Sequence, residues 1–162
     1  MKDKILFVCA NNACLSQMAE GWARHLGDDR FEFFSAGLER HELDVYAVCA
    51  MREVGVDISG QIPKSLYGLR RITFDLVVTM SEQAREASRF FSSATPVLHC
   101  EMDDPCKLQL VAHSEGEIIQ DYARVRDEIG RFVGDILGEV RHEQRRGSSD
   151  FALAYQSAGC TF

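Results

Sequence analysis

The sequence predicts an α/β fold in which a four-stranded parallel sheet carries helices on both faces. Four short apolar runs alternate with segments of helical periodicity, and the first and third runs have the continuous hydrophobicity of strands that are buried in the sheet. Parallel neighbours require right-handed crossovers, which place the intervening helices against the sheet. We therefore expect a three-layer sandwich.

The predicted strands are the segments "KILFVC", "RFEFFSAG", "FDLVVTM" and "TPVLHC". The helix "SQMAEGWARHL" follows the first strand, with Ser16 available as its N-terminal cap. The helix "SEQAREASRFF" follows the third strand, and Ser81 is its predicted cap. Apolar residues that recur every three or four positions between Glu117 and Val140 predict a long amphipathic helix at the end of the domain.

The helix "LDVYAVCAMREVGVD" follows the second strand. Its periodicity predicts an inner face made of Val45, Val48, Ala50 or Met51, and Val54.

Length and composition predict one domain with one substantial core. The chain has 162 residues, of which 46% are hydrophobic, and this is enough for a single folded unit. We expect that unit at residues 1–143. The segment 144–162 is polar, aperiodic and contains glycine and serine, which predicts a flexible C-terminal tail.

The charge pattern argues against some classes of partner. The formal net charge is -7, which disfavours binding to nucleic acid or to an anionic membrane through the overall field. No apolar stretch is long enough for a signal peptide or a transmembrane helix. We therefore expect a cytoplasmic protein with no membrane contact.

Cys9 marks a candidate site because it ends the first predicted strand. In parallel sheets, ligands bind beyond the carboxyl ends of the strands. The loop "ANNACL" then leads to a helix N-terminus, where free N–H groups favour an anion and lower the pKa of a cysteine. These residues alone leave two readings open, a nucleophilic thiolate or a small buried hydrophobic residue.

The other cysteines and the histidines show no paired zinc-ligand spacing. We expect no metal and no cofactor. The six cysteines favour thiol chemistry or burial over a disulfide framework; they are Cys9, Cys14, Cys49, Cys100, Cys106 and Cys160.

Several motifs together resemble the low-molecular-weight protein tyrosine phosphatase superfamily. They are "ILFVCANNACLSQMAEGWARHLG", "FSAG", "VGVDISGQIPKSL", "FDLVVTM", "LHCEMDDP" and "RVRDEIGRFV", in this order. The resemblance covers about residues 3–140, and it is greatest to the thioredoxin-coupled arsenate reductase branch. It implies a phosphatase I-like fold with the strand order 2-1-3-4.

The resemblance also implies roles for individual residues. Cys9 corresponds to the nucleophile, Ser16 to the hydroxyl that hydrogen-bonds its thiolate, and Asp104 to the general acid. Glu20 and Ser35, together with the loop residue Asn12, correspond to positions that support the loop. The oxyanion loop consists of Ala10, Asn11, Asn12, Ala13, Cys14 and Leu15.

Asp104 has a second reading from its own sequence. The segment "DDP" is also typical of a turn with a capping aspartate.

The chain departs from the family pattern inside the loop. Leu15 occupies the position of the family's arginine, and it offers neither a charge nor forked donors to an oxyanion. Asn11 replaces a glycine and Ala13 replaces a serine. Arg70 and Arg71 follow "KSLYG" and are alternative cations, although a solvated pair is the favoured reading and no spacing argument brings them to Leu15.

The thiol relay of the reductase branch is also changed. Ser81 and Ser88 correspond to its two further cysteines, and serine cannot form a disulfide. Three cysteines remain as redox partners of Cys9: Cys14, Cys100 and Cys106. Packing and loop positions also explain Cys100 and Cys106.

These observations lead to a functional expectation and an alternative. We expect a cysteine-dependent enzyme of the arsenate reductase or protein tyrosine phosphatase type, weakened by the loss of the loop arginine. Its expected partners are phosphate, arsenate, sulfate or a phosphorylated substrate, with thioredoxin or glutaredoxin as the reductant. The alternative is a catalytically inactive relative that acts as a binding module or as a thiol redox sensor through Cys9 and Cys14.

Overall fold

A four-stranded parallel sheet forms the centre of the computed structural model, which describes residues 1–146. The strands have the spatial order β2-β1-β3-β4, and all neighbouring pairs are parallel. This confirms the predicted fold class and strand order. Their bounds are Asp3–Cys9 (β1), Phe31–Gly37 (β2), Leu76–Thr79 (β3) and Val97–His99 (β4).

Helices cover both faces of the sheet. The α-helices are Leu15–Leu26 (α1), Val45–Glu53 (α2), Glu82–Arg85 (α3), Pro105–Gln109 (α4) and Glu115–Arg146 (α5), and 3-10 turns span Leu66–Leu69 and Glu86–Phe90.

The alternation of side chains along β1 separates two core clusters. Ile5 and Phe7 belong to the larger cluster, which contains apolar residues of α1, α2 and α5. Leu6 and Val8 point to the opposite face, where they pack with the region of α3 and the two 3-10 turns. A strand buried on both faces explains the continuous apolar run in the sequence.

Two local predictions about the helices were wrong. Ser16 does not cap α1, because the helix begins at Leu15 and Cys14 occupies the cap position without a side-chain hydrogen bond. Val45 is 71% exposed and does not lie on the inner face of α2. Ala47, Ala50 and Met51 form the buried side of α2. Val45 lies two positions before Ala47, which places it on the opposite side of a helix with 3.6 residues per turn.

The long helix α5 agrees with the predicted amphipathic segment. Tyr122, Val125 and Ile129 are buried against the larger cluster. The helix continues to Arg146, so the expected domain boundary at residue 143 falls inside it. The rest of the expected tail, residues 147–162, lies outside the described residues.

The helices within residues 1–146 do not meet the requirements of a membrane span. None is both long and apolar enough to cross a bilayer within residues 1–146.

Candidate active site

The loop after β1 is held by a neighbouring segment of backbone. Its carbonyl groups accept hydrogen bonds from the segment 38–44 that follows β2. Because a peptide N–H points away from its adjoining C=O, these contacts leave loop N–H groups directed towards the inside of the loop. The pairs are Leu38 N to Cys9 O (3.3 Å), Glu39 N to Ala10 O (3.0 Å), His41 N to Asn11 O (3.0 Å) and Asp44 N to Ala13 O (3.0 Å).

The Cys9 thiol lies at the centre of this loop and receives several hydrogen bonds. Its Sγ lies 2.8 Å from Ser16 Oγ and accepts from Asn12 N at 3.2 Å. Burial raises the pKa of the Cys9 thiol, although bonds from the Ser16 hydroxyl and from the Ser16, Asn12 and Asn11 backbones lower it. Since Cys9 is only 3% exposed, burial outweighs the donors and the resting thiol is protonated.

Asn12 connects the loop to three other parts of the chain. Its Nδ2 donates to Ser16 Oγ (2.8 Å) and to Ser35 Oγ (2.9 Å). Its Oδ1 accepts from the backbone N–H of Lys64 (2.7 Å) and from Gln17 Nε2 (3.1 Å). Asn12 has a positive φ of 52°, a conformation that asparagine adopts more readily than most residues.

Glu20 anchors the far side of this network. Its side chain is 2% exposed, and it forms ion pairs with Arg24 (2.6 Å) and with Lys64 Nζ (3.5 Å). It also accepts a hydrogen bond from Ser35 Oγ. Burying a carboxylate is costly unless it is paired and hydrogen-bonded, and the three partners meet this requirement.

Lys64 is a site residue that the sequence reasoning missed. It supplies its backbone N–H to Asn12 and its ammonium to Glu20. It lies 52 and 44 residues from these partners, and no local pattern in the sequence indicates the contact.

Gly37 allows β2 to pass close to the oxyanion loop. A Cβ at this position would lie 2.6 Å from Asn11 C and from Asn12 N, and it would also collide with Glu39 O. All three are backbone atoms, so a side chain has no flexible neighbour to displace. Glycine is therefore required for the close approach of the two segments.

Leu15 does not replace the chemical role of an arginine. Its side chain is 3% exposed and packs in the larger core cluster with Cys14 and Met18. The buried leucine therefore offers an oxyanion neither a charge nor a hydrogen-bond donor.

Two other arginines differ in their relation to the loop. Arg70 lies over the Tyr67 ring, 4.0 Å from its centroid, and also donates to Tyr67 O. These contacts account for the position of the Arg70 side chain without any role in the candidate active site. Arg40 is exposed and lies between Glu39 and His41, whose N–H groups bind the loop carbonyls.

Asp104 is the N-terminal cap of α4. Its Oδ1 accepts from Cys106 N at 3.0 Å, as the turn reading of "DDP" predicted. The preceding Asp103 pairs instead with Arg124 at 3.1 Å. The negative charge of Asp104 also contributes to the raised pKa of the loop residue Cys14.

The candidate redox cysteines lie in different surroundings. Cys14 is buried, and its pKa is raised by burial, by a hydrogen bond with Cys106 and by nearby acidic groups. Cys106 and Cys100 are half-buried and pack against the larger cluster. Cys160 lies outside the described residues.

The two serines at the relay positions lie in and near α3. Ser81 caps this helix by accepting from Ala84 N at 3.2 Å. Ser88 lies in the 3-10 turn that follows.

A further group of polar side chains lies at the carboxyl ends of β3 and β4. Donor atoms of Glu82, His99 and Glu101 lie within 4.8 Å of one another and could hold a metal ion, a group that the sequence reasoning did not identify. The pKa of His99 is lowered by burial and by Arg85, against the opposing effect of the two glutamates. Because Arg85 also contacts Glu82 at 3.8 Å, a surface ion-pair cluster accounts for these residues.

Comparison with known proteins gives consistent matches over the described domain. The sequence model of the family described as "Low molecular weight phosphotyrosine protein phosphatase" matches residues 4–146. The arsenate reductase of Bacillus subtilis (strain 168) is 40% identical over 131 residues, which cover 80% of this chain and 92% of that protein. The arsenate reductase of Bacillus licheniformis is 42% identical over 133 residues, which cover 82% of this chain and 93% of that protein.

Solved structures show the same relationship. "An arsenate reductase in the phosphate binding state" is 29% identical with a TM-score of 0.70, over 85% of this chain and 98% of that chain. The tyrosine phosphatase Wzb from Escherichia coli K30, in complex with sulphate, has a TM-score of 0.65 at 22% identity and covers 85% of this chain and 100% of that one. The second match concerns the fold alone.

Proposed function

Since the chain belongs to the low molecular weight phosphotyrosine protein phosphatase family, we propose that Cys9 attacks the central atom of a tetrahedral oxyanion. The observation that carries this proposal is the environment of Cys9 Sγ, which faces the Ser16 hydroxyl and backbone N–H groups of the loop. Such donors stabilise both a thiolate and the negative charge that develops on an oxyanion. Relatives named as arsenate reductases and a neighbour in a phosphate-binding state support this class of substrate.

With a phosphate ester, Cys9 forms the S–P bond while the bond to the ester oxygen breaks. Asp104 supplies the proton to the departing oxygen, and water then cleaves the S–P bond to release phosphate. This role requires Asp104 to exchange its capping contact with Cys106 N for a contact with the substrate. The electrostatic effect of Asp104 on Cys14 supports its proximity to the loop.

With arsenate, Cys9 forms an S–As bond and an arsenate oxygen leaves as water. A second thiol then attacks the sulfur of Cys9, and arsenic departs with the electron pair as arsenite. The net reaction converts two thiols and arsenate into a disulfide, arsenite and water. We assign the final reduction of the disulfide to a dithiol protein of the thioredoxin or glutaredoxin type.

The loss of the loop arginine makes either reaction slow. Leu15 is buried and supplies no donor to the oxyanion, and losing one comparable transition-state donor costs about 10²–10³-fold in rate. Burial of Cys9 adds to this effect, because the protonated thiol is not the attacking species. Arg40 is the candidate substitute cation, since its segment runs along the loop.

The decisive experiment measures aryl phosphate hydrolysis and arsenate reduction, the latter with thioredoxin or glutaredoxin supplied. We expect slow turnover by the natural protein and none by Cys9→Ser. The Asp104→Asn variant should lose about 10²-fold on an aryl phosphate with a poor leaving group, the lower range for general acid catalysis. Cys49→Ser is the matched control, because Cys49 is an exposed thiol on α2.

Each outcome discriminates between the functions. Equal rates for the natural protein and Cys9→Ser on both substrates would overturn the proposal and favour the binding module or redox sensor. A rate that falls for Arg40→Ala but not for the exposed Arg131→Ala would identify Arg40 as the substitute cation. Equal rates for these two variants would exclude that assignment.

A further inference from the structure

A second thiol site lies beside the oxyanion loop, between the start of α1 and the start of α4. Asp44 joins its two sides: its backbone N–H donates to Ala13 O at 3.0 Å, next to Cys14 at the cap position of α1, and its Oδ2 lies 3.4 Å from the sulfur of Cys106, the second residue of α4. The neighbouring Cys106 thiol also raises the pKa of Cys14. The two residues are 92 positions apart in the sequence and lie in the same packed cluster. The proposed function uses neither thiol as its nucleophile.

Polar side chains fix Cys106 in this place. Its Sγ lies 3.4 Å from Asp44 Oδ2, and the Tyr122 hydroxyl lies 3.0 Å from the same oxygen and 3.6 Å from the sulfur. The other carboxylate oxygen of Asp44 accepts from Ala47 N at 3.0 Å. Asp44 is thereby held from two sides, and so the position of the Cys106 thiol is defined.

The two thiols differ in accessibility. Cys106 is half-buried, whereas Cys14 is 2% exposed. A small oxidant therefore reaches Cys106 first, and Cys14 is shielded from direct oxidation but lies next to the oxidised sulfur. This is the arrangement of a peroxide-reactive thiol with a resolving partner.

We propose that Cys14 and Cys106 form a reversible disulfide when the protein meets hydrogen peroxide or an organic hydroperoxide. The sulfur of Cys106 attacks the outer peroxide oxygen, the O–O bond breaks, and the thiol proton leaves with the departing oxygen. Cys14 then attacks the resulting sulfenic acid, forms the S–S bond and expels water. In total, two thiols and one hydroperoxide give one disulfide, one alcohol or water, and one further water.

The crosslink would act on the neighbouring site through its position. It joins the oxyanion loop at Cys14 to the segment that carries Asp104, two residues before Cys106. The pair is independent of Cys9, so this proposal does not rest on the turnover proposed above.

Trypsin cleavage makes the test sharp. Cleavage after Lys4 and Arg24 yields a peptide that holds Cys9 and Cys14, and cleavage after Arg89 and Lys107 yields one that holds Cys100 and Cys106. In the Cys9→Ser, Cys100→Ser double variant, each peptide retains one cysteine. Any disulfide between these two peptides then joins Cys14 to Cys106.

We expect this double variant, treated with hydrogen peroxide, to give the linked peptides as its major oxidised product, and dithiothreitol to separate them. Adding Cys106→Ser should abolish the link, and adding Cys49→Ser should leave it unchanged. Circular dichroism before oxidation establishes that each variant is folded. Oxidation of Cys106 to sulfinic acid without a link, or a link from Cys106 to Cys49 or Cys160, would overturn the proposal.

Discussion

The Ser16 hydroxyl oxygen and the sulfur of Cys9 lie 2.8 Å apart, within hydrogen-bonding distance. Ser16 Oγ also accepts from Asn12 Nδ2 at 2.8 Å, and its own hydrogen stays available to a thiolate at Cys9. A donor in this position favours the thiolate, whereas burial favours the thiol. In the proposed reaction, burial therefore opposes the activation of Cys9 as the nucleophile.

Replacement of Ser16 by alanine should slow the reaction of Cys9 with iodoacetamide. The variant loses a hydrogen bond to a charged group, worth about 1.5–3 kcal/mol, so the alkylation rate at neutral pH should fall about tenfold or more. The rate is measured by mass spectrometry of the peptide that contains Cys9 in a Cys14→Ser background. Ser65→Ala is the control, and equal rates for Ser16→Ala and the unchanged background would show that the hydroxyl does not donate to the sulfur.

The alkylation of Cys9 should continue to increase at alkaline pH. Its pKa is raised above the ordinary value of 9.0 by burial, so the thiolate fraction grows with pH beyond the point at which a free cysteine levels off. The contribution of the buried thiol to stability has the matching sign: it is present below pH 9.0 and is lost as pH rises through the raised pKa. If the alkylation rate of Cys9 levels off at a lower pH than that of a cysteine-containing reference peptide, the raised pKa is contradicted.

The position of Asn12 makes separate demands on its side chain and its backbone. Asn12→Gly and Asn12→Ala both lose the hydrogen bonds to Ser16, Ser35 and Lys64. Alanine is strained at the positive φ of this position, whereas glycine is not. The Asn12→Ala variant should therefore be about 1 kcal/mol less stable than Asn12→Gly. Urea denaturation of both variants measures this difference, and equal stabilities would show that the loop relaxes to a negative φ.

Gly37 should tolerate no side chain. Alanine would press against backbone atoms of Asn11, Asn12 and Glu39, and overpacking of this kind costs about 1–3 kcal/mol. Gly60→Ala is the matched control, because nothing lies within 4 Å of its added Cβ, and its cost should stay within about 0.5 kcal/mol. Thermal denaturation measures the loss of stability in both variants. Equal losses would show that the contact with the loop backbone does not cause the effect of Gly37→Ala.

The sequence could predict the sheet because each strand carries its own signal. The apolar run that ends at Cys9 is visible without knowledge of the fold, and so is the cap formed by Asp104 before a proline. Local signals were less reliable at helix ends, where Ser16 lies one position inside α1. Its hydroxyl contacts the sulfur of Cys9, a role that the family resemblance implied and capping preference did not.

Contacts between distant segments could not be predicted in the same way. Lys64 joins the site through a crossover that brings it to the loop only in three dimensions. The side chain of Leu15 illustrates the same limit, since the sequence shows the absence of an arginine but not whether the replacement faces the anion or the core.

Leu15→Arg should lower the free energy of unfolding and strengthen oxyanion binding. Leu15→Ala loses the same packing without adding a cation, so it separates the two effects. Both variants lose the packing of a side chain that is 3% exposed in the core, a loss of about 2–5 kcal/mol for a leucine. Only arginine offers forked donors to an anion. Leu15→Arg should therefore be stabilised by phosphate, by about 2.7 kcal/mol at a hundredfold excess over Kd.

Thermal denaturation with and without phosphate measures this stabilisation, and aryl phosphate turnover is measured on the same samples. The natural protein and Leu15→Ala should show little change with phosphate, and the rate of Leu15→Arg should exceed that of Leu15→Ala by about 10²–10³-fold. If Leu15→Ala responds to phosphate as strongly as Leu15→Arg, the anion is held by the backbone of the loop alone. If the natural protein already binds phosphate tightly, another cation completes the site, and Arg40 is the first residue to replace.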